Sequence, residues 1–440
     1  MLIPAAVARC LEALEQAGFE AYCVGGCVRD RLLGQEPHDF DLCASATPEE
    51  MKTLFHDQNL VLAGEKHGTV GVVTEEGVVE ITTFRKEGTY ADNRHPDRVE
   101  FVTDIRQDLA RRDFTVNAMA WSPKRGLQDP FGGEADLKNG ILRCVGHPET
   151  RFREDALRIL RGVRFSVTYN LTPEPETERA MLALTELLDH LARERVYGEF
   201  CGFLPQITGA QLVKYAPIIT QVIPELKATV GFDQHSPHHK YDLYTHIAQV
   251  VDRVPGNLPL RWAALLHDVG KIPTFTRDET GRGHFYGHAQ AGAEMADEIL
   301  RRLKAPTALR QQAVLLIEQH MTRLMPEKRL LKRYLGRWGR ETVEQLLYLQ
   351  QADMGSKGVP GEEEQEQFEV LWALLKEVEQ ESTCLTRKDL ALTGLDLLSL
   401  GYQGREIGAR LEELLEAVLD ERVKNEKEAL LEYLKRTETS

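Results

Sequence analysis

The sequence predicts an α+β protein: a small mixed-sheet head followed by an all-α neck, a helical body and a helical tail. Three observations carry this. β-Branched runs bounded by turn residues are confined to the first 145 of 440 residues. After Gly146 the chain reads as helices punctuated by Pro and Gly. The length is also too great for one hydrophobic core. Seams near 145, at "GFDQHSPHH" (231–239) and at "GSKGVPGEEE" (355–364) divide the chain into 1–145, 146–230, 231–358 and 359–440.

In the head, an amphipathic helix is expected over 5–17, then a short apolar strand in "AYCVGG". "TPEEMKTLF" opens a second helix, with Thr47 as N-cap and Glu50 completing a capping box. "HGTVGVVTEEGVVEITTF" reads as a hairpin and "RVEFV" as a further strand. Between them, "FRKEGTYADNRHPDRVEF" (84–101), with Gly88 and Pro96, reads as a mobile loop. From "RFREDALRILRGVRF" onward only helices are expected.

Composition excludes some classes. No run approaches the ~18 apolar residues of a membrane span, and the N-terminus lacks a signal peptide's basic start and cleavage site, which points to a cytoplasmic protein without a membrane partner. Seven scattered cysteines, among them Cys23, Cys27 and Cys43, read as small buried residues of a reduced protein. The net charge of −15 hides segregation. Residues 301–340 carry eleven Lys/Arg against Glu318 and Glu327, while 361–380 carry seven Glu against Lys376. A basic face on an acidic body is compatible with a polyanionic ligand.

The densest chemistry lies in "VGGCVRDRLLGQEPHDFDL", residues 24–42. In an extended segment, residues two apart share a face, so Asp39 and Asp41 would stand side by side with Phe40 and Leu42 opposite. Paired carboxylates suit a hard cation such as Mg²⁺. Gly25 and Gly26 allow a tight turn and close approach to phosphate oxygens, and Arg29 follows one helical turn later. This is a layout for nucleotidyl transfer. Glu80 is the best local candidate for a third carboxylate.

Together with "RRDFTVNAMA" (111–120) and "REDALRILRGVRF" (153–165), this segment resembles the successive signatures of the class II tRNA nucleotidyltransferases, the CCA-adding enzymes. The resemblance spans roughly 20–225 and resumes at "GLDLLSLGYQGREIGARLEELLEAVL". It implies a nucleotidyltransferase head in which Asp39 and Asp41 bind catalytic Mg²⁺. It also implies that Gly26, Arg29, Arg112, Asp155, Arg158, Arg161 and Arg164 contact the incoming CTP or ATP, with tRNA as acceptor. On one helix Asp155 and Arg158 would share a face, with Arg161 and Arg164 along the same row. A carboxylate accepting from an exocyclic amine beside a guanidinium donating to a ring nitrogen selects cytosine and adenine without a template. The basic 301–340 segment and the tail would then dock the tRNA through its phosphates.

A second constellation is spread over the helices: His246, His267, Asp268, His288, His320 and Asp353. Imidazoles with carboxylates suit a divalent transition metal such as Ni²⁺ or Mn²⁺. The adjacent His-Asp resembles the HD phosphohydrolases over roughly 240–355. By that likeness His246, His267, Asp268 and Asp353 form a four-ligand core, and His288 and His320 match positions that hold a second metal in some members. Lys271 would assist with a phosphate, and loop histidines 235, 238, 239 and 284 are expected to be merely exposed. The competing expectations are an HD phosphohydrolase with an RNA-binding head, and a poly(A) polymerase.

Overall fold

The computed structural model describes residues 2–37, 39–87, 99–235, 240–357, 362–381 and 384–438. The expected loop over 84–101 therefore lies largely outside the described residues, as do parts of the 231–239 and 355–364 seams and His238 and His239. The chain forms two compact units: residues 1–207 with 214–224, and residues 208–213 with 225–440.

The first unit is built on a seven-stranded mixed sheet. Its strands are β1 (Ala21–Val24), β2 (Leu42–Ala44), β3 (Leu60–Val61), β4 (Thr69–Thr74), β5 (Gly77–Thr83), β8 (Ala120–Ser122) and β9 (Gly126–Gln128). The spatial order is β3-β4-β5-β2-β1-β8-β9, with β2 parallel to β5 through Leu42 and Ile81 and the other neighbours antiparallel. The expected strand at "RVEFV" forms, but β7 (Val99–Phe101) pairs only with β6 (Arg85–Glu87), away from the main sheet. Helices α1 (Ala5–Gln16), α2 (Gly26–Leu32), α3 (Pro48–Leu54), α4 (Ile105–Ala110) and α5 (Gly133–Lys138) accompany the sheet. The Thr47–Glu50 capping box starts α3 as expected. Tyr22, Val24, Cys43, Phe84, Leu109 and Ala118 fill one buried cluster. All seven cysteines are unpaired and six are buried, including Cys23, Cys27 and Cys43.

The same unit continues with α6 (Pro148–Glu154), α7 (Leu157–Thr168), α8 (Pro175–Ala183), α9 (Arg193–Phe203) and, after α10 (Gly209–Lys214), α11 (Ala216–Val222). Here one expectation is corrected. "RFREDALRILRGVRF" is not a single helix, because Asp155 is extended (φ −140°, ψ 104°) and divides α6 from α7. Its short carboxylate accepts from Leu157 N at 3.1 Å and competes with the helical ladder for that donor. Strands also recur after Gly146, in two-residue ladders: β11 (Thr172–Pro173) pairs with β10 (Ile141–Leu142), and β12 (Thr276–Arg277) with β13 (Gly283–His284). Such short pairs carry no run of β-branched residues and so leave little periodic signal.

The second unit is helical: α12 (Leu243–Arg253), α13 (Leu258–Leu266), α14 (Lys271–Thr274), α15 (His288–Arg302), α16 (Thr307–Gln319), α17 (Lys328–Trp338), α18 (Arg340–Lys357) and α19 (Glu362–Gln380), then α20 (Gly394–Ser399), α21 (Arg405–Leu419) and α22 (Lys427–Glu438). Leucines 390, 392, 397, 414 and 430 form the tail's own core. The segregated charges meet here. Lys328 pairs with Glu377 and Glu381, Lys332 with Glu421, Arg333 with Glu416 and Asp420, and Arg340 with Glu344 and Glu379. Arg301, Arg302, Arg310 and Arg329 also have carboxylate partners. Eight of the eleven basic residues of 301–340 thus have a carboxylate partner within their own unit, with which a polyanion would have to compete.

Candidate metal and nucleotide sites

In the first unit the site grows from the β1–α2 turn. Gly25 adopts φ +73°, ψ −122°, a conformation that glycine tolerates and L side chains resist. A Cβ there would lie 3.0 Å from Arg112 Nη1, so the glycine also lets that guanidinium lie over the turn. Val24 N donates to Asp41 O at 3.0 Å, which places Asp41 immediately before β2 and beside β1. Both Asp39 and Asp41 are exposed. Even so, partial desolvation pushes the Asp41 carboxyl up; Arg112 opposes this and Asp39 adds to it. The structure therefore brings Asp39, Asp41 and Arg112 together. Two neighbouring carboxylates, with oxygen-only donors, fit a hard divalent cation. Glu80 is exposed on β5 opposite Gly71, and the charges acting on Asp41 are those of Arg112 and Asp39.

Arg112 is steadied by Asp108 (Nη2 to Oδ2, 3.3 Å). Burial would raise Asp108, but Arg112 and Arg111 outweigh it and hold the carboxyl low. Arg29 is buried, not displayed on the surface. It donates to Asn117 Oδ1, to the Tyr169 hydroxyl and to Asp30 Oδ1 (2.7 Å), and lies 4.0 Å above the Tyr169 ring. A Cβ on Gly26 would touch Arg29 Nη2 at 3.6 Å, an ordinary contact.

On α7, Arg161 gives its Nε to Asp113 Oδ2 (2.7 Å) and Arg164 its Nε to Glu199 Oε2 (2.7 Å). Burial would lift Asp113, but Arg161, Asn117 and the Phe114 amide bring it down to about 2. Arg29, Arg161 and Arg164 converge on the Phe165 ring at 5.3, 5.1 and 4.6 Å. Arg158 N donates to Asp155 O at 3.0 Å, but among the described residues no side-chain hydrogen bond joins the Asp155 carboxylate to the Arg158 guanidinium. Asp155 Oδ2 accepts from Arg195 (2.9 Å), and Arg158 is buried against Glu154 (2.8 Å) and the carbonyls of Arg151 and Arg111. This corrects the expected Asp155–Arg158 helical couple: the break at Asp155 turns the two side chains to different partners.

In the second unit the six expected ligands converge. His246 lies on α12, His267 and Asp268 follow α13, His288 begins α15, His320 follows α16 and Asp353 lies on α18. His246, His267, Asp268 and Asp353 offer donor atoms within 4.8 Å of one another, as do Asp268, His288 and His320. His246 Nε2 is 3.3 Å from Asp268 Oδ2 and 3.1 Å from Asp353 Oδ1, and His288 Nε2 is 3.3 Å from His320 Nε2. Close packing makes this possible: a Cβ on Gly270 would fall 2.2 Å from His288 O and 2.5 Å from Gly292 N.

The imidazoles are oriented by the backbone. Nδ1 of His267, His288 and His320 faces Ala264 O, Phe285 O and Ile317 O at 2.8, 2.8 and 2.6 Å, which turns each Nε2 inward. Burial pushes His320 down to about 4 and lowers His288, which favours the neutral imidazole that a metal requires. Burial would raise Asp268, but His267 and Lys271 outweigh it and hold it ionised. Among the described residues, His267 Nε2 and Asp353 Oδ1 are buried without a well-formed hydrogen bond, their near neighbours being Asp268 Oδ2 at 3.2 Å and His246 Nε2 at 3.1 Å. Buried donors and acceptors left this way are costly, and a cation bridging them removes the cost. The donor set fits a pair of divalent metals. Lys271 Nζ reaches Asp268 (2.8 Å) and Gln234 (2.9 Å), and Lys357 Nζ reaches Asp353 (2.6 Å).

Comparison with known proteins agrees with this layout. Residues 21–143 match the poly A polymerase head domain family and residues 243–354 the HD domain family. The CCA-adding enzyme of Levilactobacillus brevis is 35% identical over 96% of this chain and 95% of its own length. The chain belongs to the CCA-adding enzyme family. The Ligilactobacillus salivarius CCA-adding enzyme is 43% identical over 54% of this chain and 61% of its own length. A crystal structure of the Bacillus stearothermophilus CCA-adding enzyme in complex with CTP superposes with a TM-score of 0.68 at 28% identity, covering 99% of this chain and 98% of that one. The head and HD families are both metal-dependent, consistent with the two donor clusters. No described helix is long and apolar enough to cross a membrane.

Some participants were not singled out from sequence. Lys357 stands one helical turn after Asp353, a spacing that could have flagged it. Asn117 and Asp113 lie inside "RRDFTVNAMA", yet their partners Arg29 and Arg161 are 88 and 48 residues away. Arg195 and Tyr169 are brought in only by the fold.

Proposed function

We propose that this chain adds C, C and A, without a template, to the 3′ end of tRNA from CTP and ATP. Carrying the reading is the meeting of Asp39, Asp41 and Arg112 at the Gly25 turn, in a chain of this family. Mg²⁺ held by Asp39 and Asp41 would supply Lewis acidity toward the terminal hydroxyl and the α-phosphate. Arg112 lies beside the carboxylates, where it would meet the phosphates together with Arg29 and the backbone at Gly26. Arg161 and Arg164, gripped through Nε, are oriented for nucleotide contacts, and Asp155 and Arg158 would read the base edge after exchanging their present partners. The division at 145, 230 and 358 into head, neck, body and tail belongs to the same proposal, as does a cytoplasmic location, where tRNA is matured. Incubation with tRNA lacking its terminal CCA and labelled CTP and ATP tests it: incorporation of all three residues is expected, and incorporation of A alone or C alone overturns it.

A second activity is favoured by the buried six-ligand cluster. We propose that the second unit hydrolyses phosphoesters with a divalent transition metal such as Ni²⁺ or Mn²⁺, clearing blocked 3′ ends before rebuilding. Lys271 and Lys357 hold the ligand carboxylates and would face the phosphate. Hydrolysis of a 2′,3′-cyclic phosphate that survives Asp39→Ala and is lost in His267→Ala is the expected result.

A further inference from the structure

The second unit exposes a large aromatic side chain where burial would be expected. Tyr286 is 80% exposed, while its neighbour Phe285 packs inward against Phe232 and Phe275. Its ring lies parallel to His284, with centroids 5.4 Å apart and planes 6° from coplanar. His284 is itself anchored, its Nε2 facing Asp278 Oδ2 at 2.7 Å. Asp278 Oδ1 in turn accepts from the amides of Thr280 and Arg282, closing the β12–β13 hairpin. The two-ring stack is therefore mounted on a fixed turn, with one Tyr286 face against His284 and the other open.

The location of the stack gives it meaning. Tyr286 and His284 line the same cavity, of about 410 Å³, as the ligands Asp268, His288 and Asp353. Lys271, Lys357 and Arg282 line it too. One cavity thus joins part of the His/Asp cluster, three cations and an open aromatic face. An exposed tyrosine with no neighbouring site is a common surface feature. Placed at the mouth of a phosphoester site, it matches the division of labour that binds nucleotides, in which cations take the phosphate and a flat ring takes the base.

We propose that Tyr286, backed by His284, is a base-stacking platform that makes the second site selective for nucleoside phosphoesters over base-free ones. Stacking is indifferent to base identity, so purines and pyrimidines are both accepted. The proposal rests on the phosphohydrolase reading for the choice of substrate, yet it is testable through binding alone. Tyr286 is here a specificity residue, since it touches the base and not the reacting atoms.

The test compares the full-length native protein with Tyr286→Ala and Tyr286→Trp, each supplied with Mn²⁺. The probe is 2-aminopurine riboside 2′-phosphate, whose fluorescence is quenched by stacking. Binding at the head is common to all three proteins and subtracts. The Ala variant is expected to lose the quenching and to bind about tenfold more weakly, with the Trp variant restoring both. Affinity for 1-O-methylribose 2-phosphate, which has no base, is expected to be unchanged. Equal probe binding by native and Ala proteins, or an equal loss for the base-free ester, overturns the platform. Hydrolysis measured on the same preparations separates the two ideas. Tyr286-dependent binding without hydrolysis overturns the hydrolase reading alone, and hydrolysis indifferent to Tyr286 overturns the platform alone.

Discussion

The two carboxylate-bearing sites are built on opposite principles. Asp39 and Asp41 are exposed on the strand side of a glycine turn, and the cation that acts on Asp41 is Arg112. The six ligands of the second unit are all buried, three of them oriented through Nδ1 by backbone carbonyls. A site that stays wet can wait for its cation to arrive with a triphosphate, because water solvates the acids meanwhile. A dry site has no such reserve and must be assembled around its metal.

The sharpest way to break that contrast is Asp39→Ala. Nucleotide incorporation should fall by on the order of a thousandfold or more, since the loss removes several kcal/mol of charge stabilisation. Thermal unfolding should hardly move, as an exposed carboxylate contributes within about 0.5 kcal/mol. A fall in melting temperature of many degrees would show that the first site is structural as well.

Next comes the second site. His267→Ala should abolish phosphoester hydrolysis and bound metal while leaving CCA addition intact. Chelation of the native protein should lower its stability by about 2.7 kcal/mol relative to metal held at a hundred times its dissociation constant. Metal analysis and calorimetry read both effects, and stability indifferent to chelation would contradict a site assembled around its metal.

Asp113→Asn sharpens the comparison inside the first unit. The native Asp113 carboxyl sits near 2, below its ordinary 3.8, so it stabilises the fold above the unfolded value and that benefit disappears as pH falls toward 2. The variant should be about 2 kcal/mol less stable at pH 7, and the gap should close between about pH 4 and 2 in urea titrations. Loosening Arg161 should also raise the KM for CTP and ATP. The smallest effect is expected for Glu80→Ala, less than about threefold in incorporation, because Asp41 is governed by Arg112 and Asp39. A loss comparable to that of Asp39→Ala would make Glu80 the third metal-binding acid.

Much of this was legible in the sequence where the physics is local. The Thr47–Glu50 capping box and the hairpin over 69–83 follow from short-range spacing and residue type, whereas the six histidine and aspartate positions are picked out by residue type and by the resemblance to the HD phosphohydrolases. What stayed hidden depends on distant partners. Nothing near Asp155 announces that its carboxylate will take the Leu157 amide and Arg195, breaking the helix between them. A linear count of charge likewise cannot show that Lys328 and Arg333 fold back onto Glu377 and Glu416. The burial of Arg29 was not visible either, since Asn117 and Tyr169 lie 88 and 140 residues away.

The crowding at Gly270 has a consequence for how such chains are compared. With backbone atoms 2.2 and 2.5 Å from where a methyl would sit, even alanine forces α15 to retreat, carrying His288 with it. A sister protein could therefore keep all six coordinating residues and still be silent as a hydrolase, disarmed by one carbon atom that no inventory of ligands would notice.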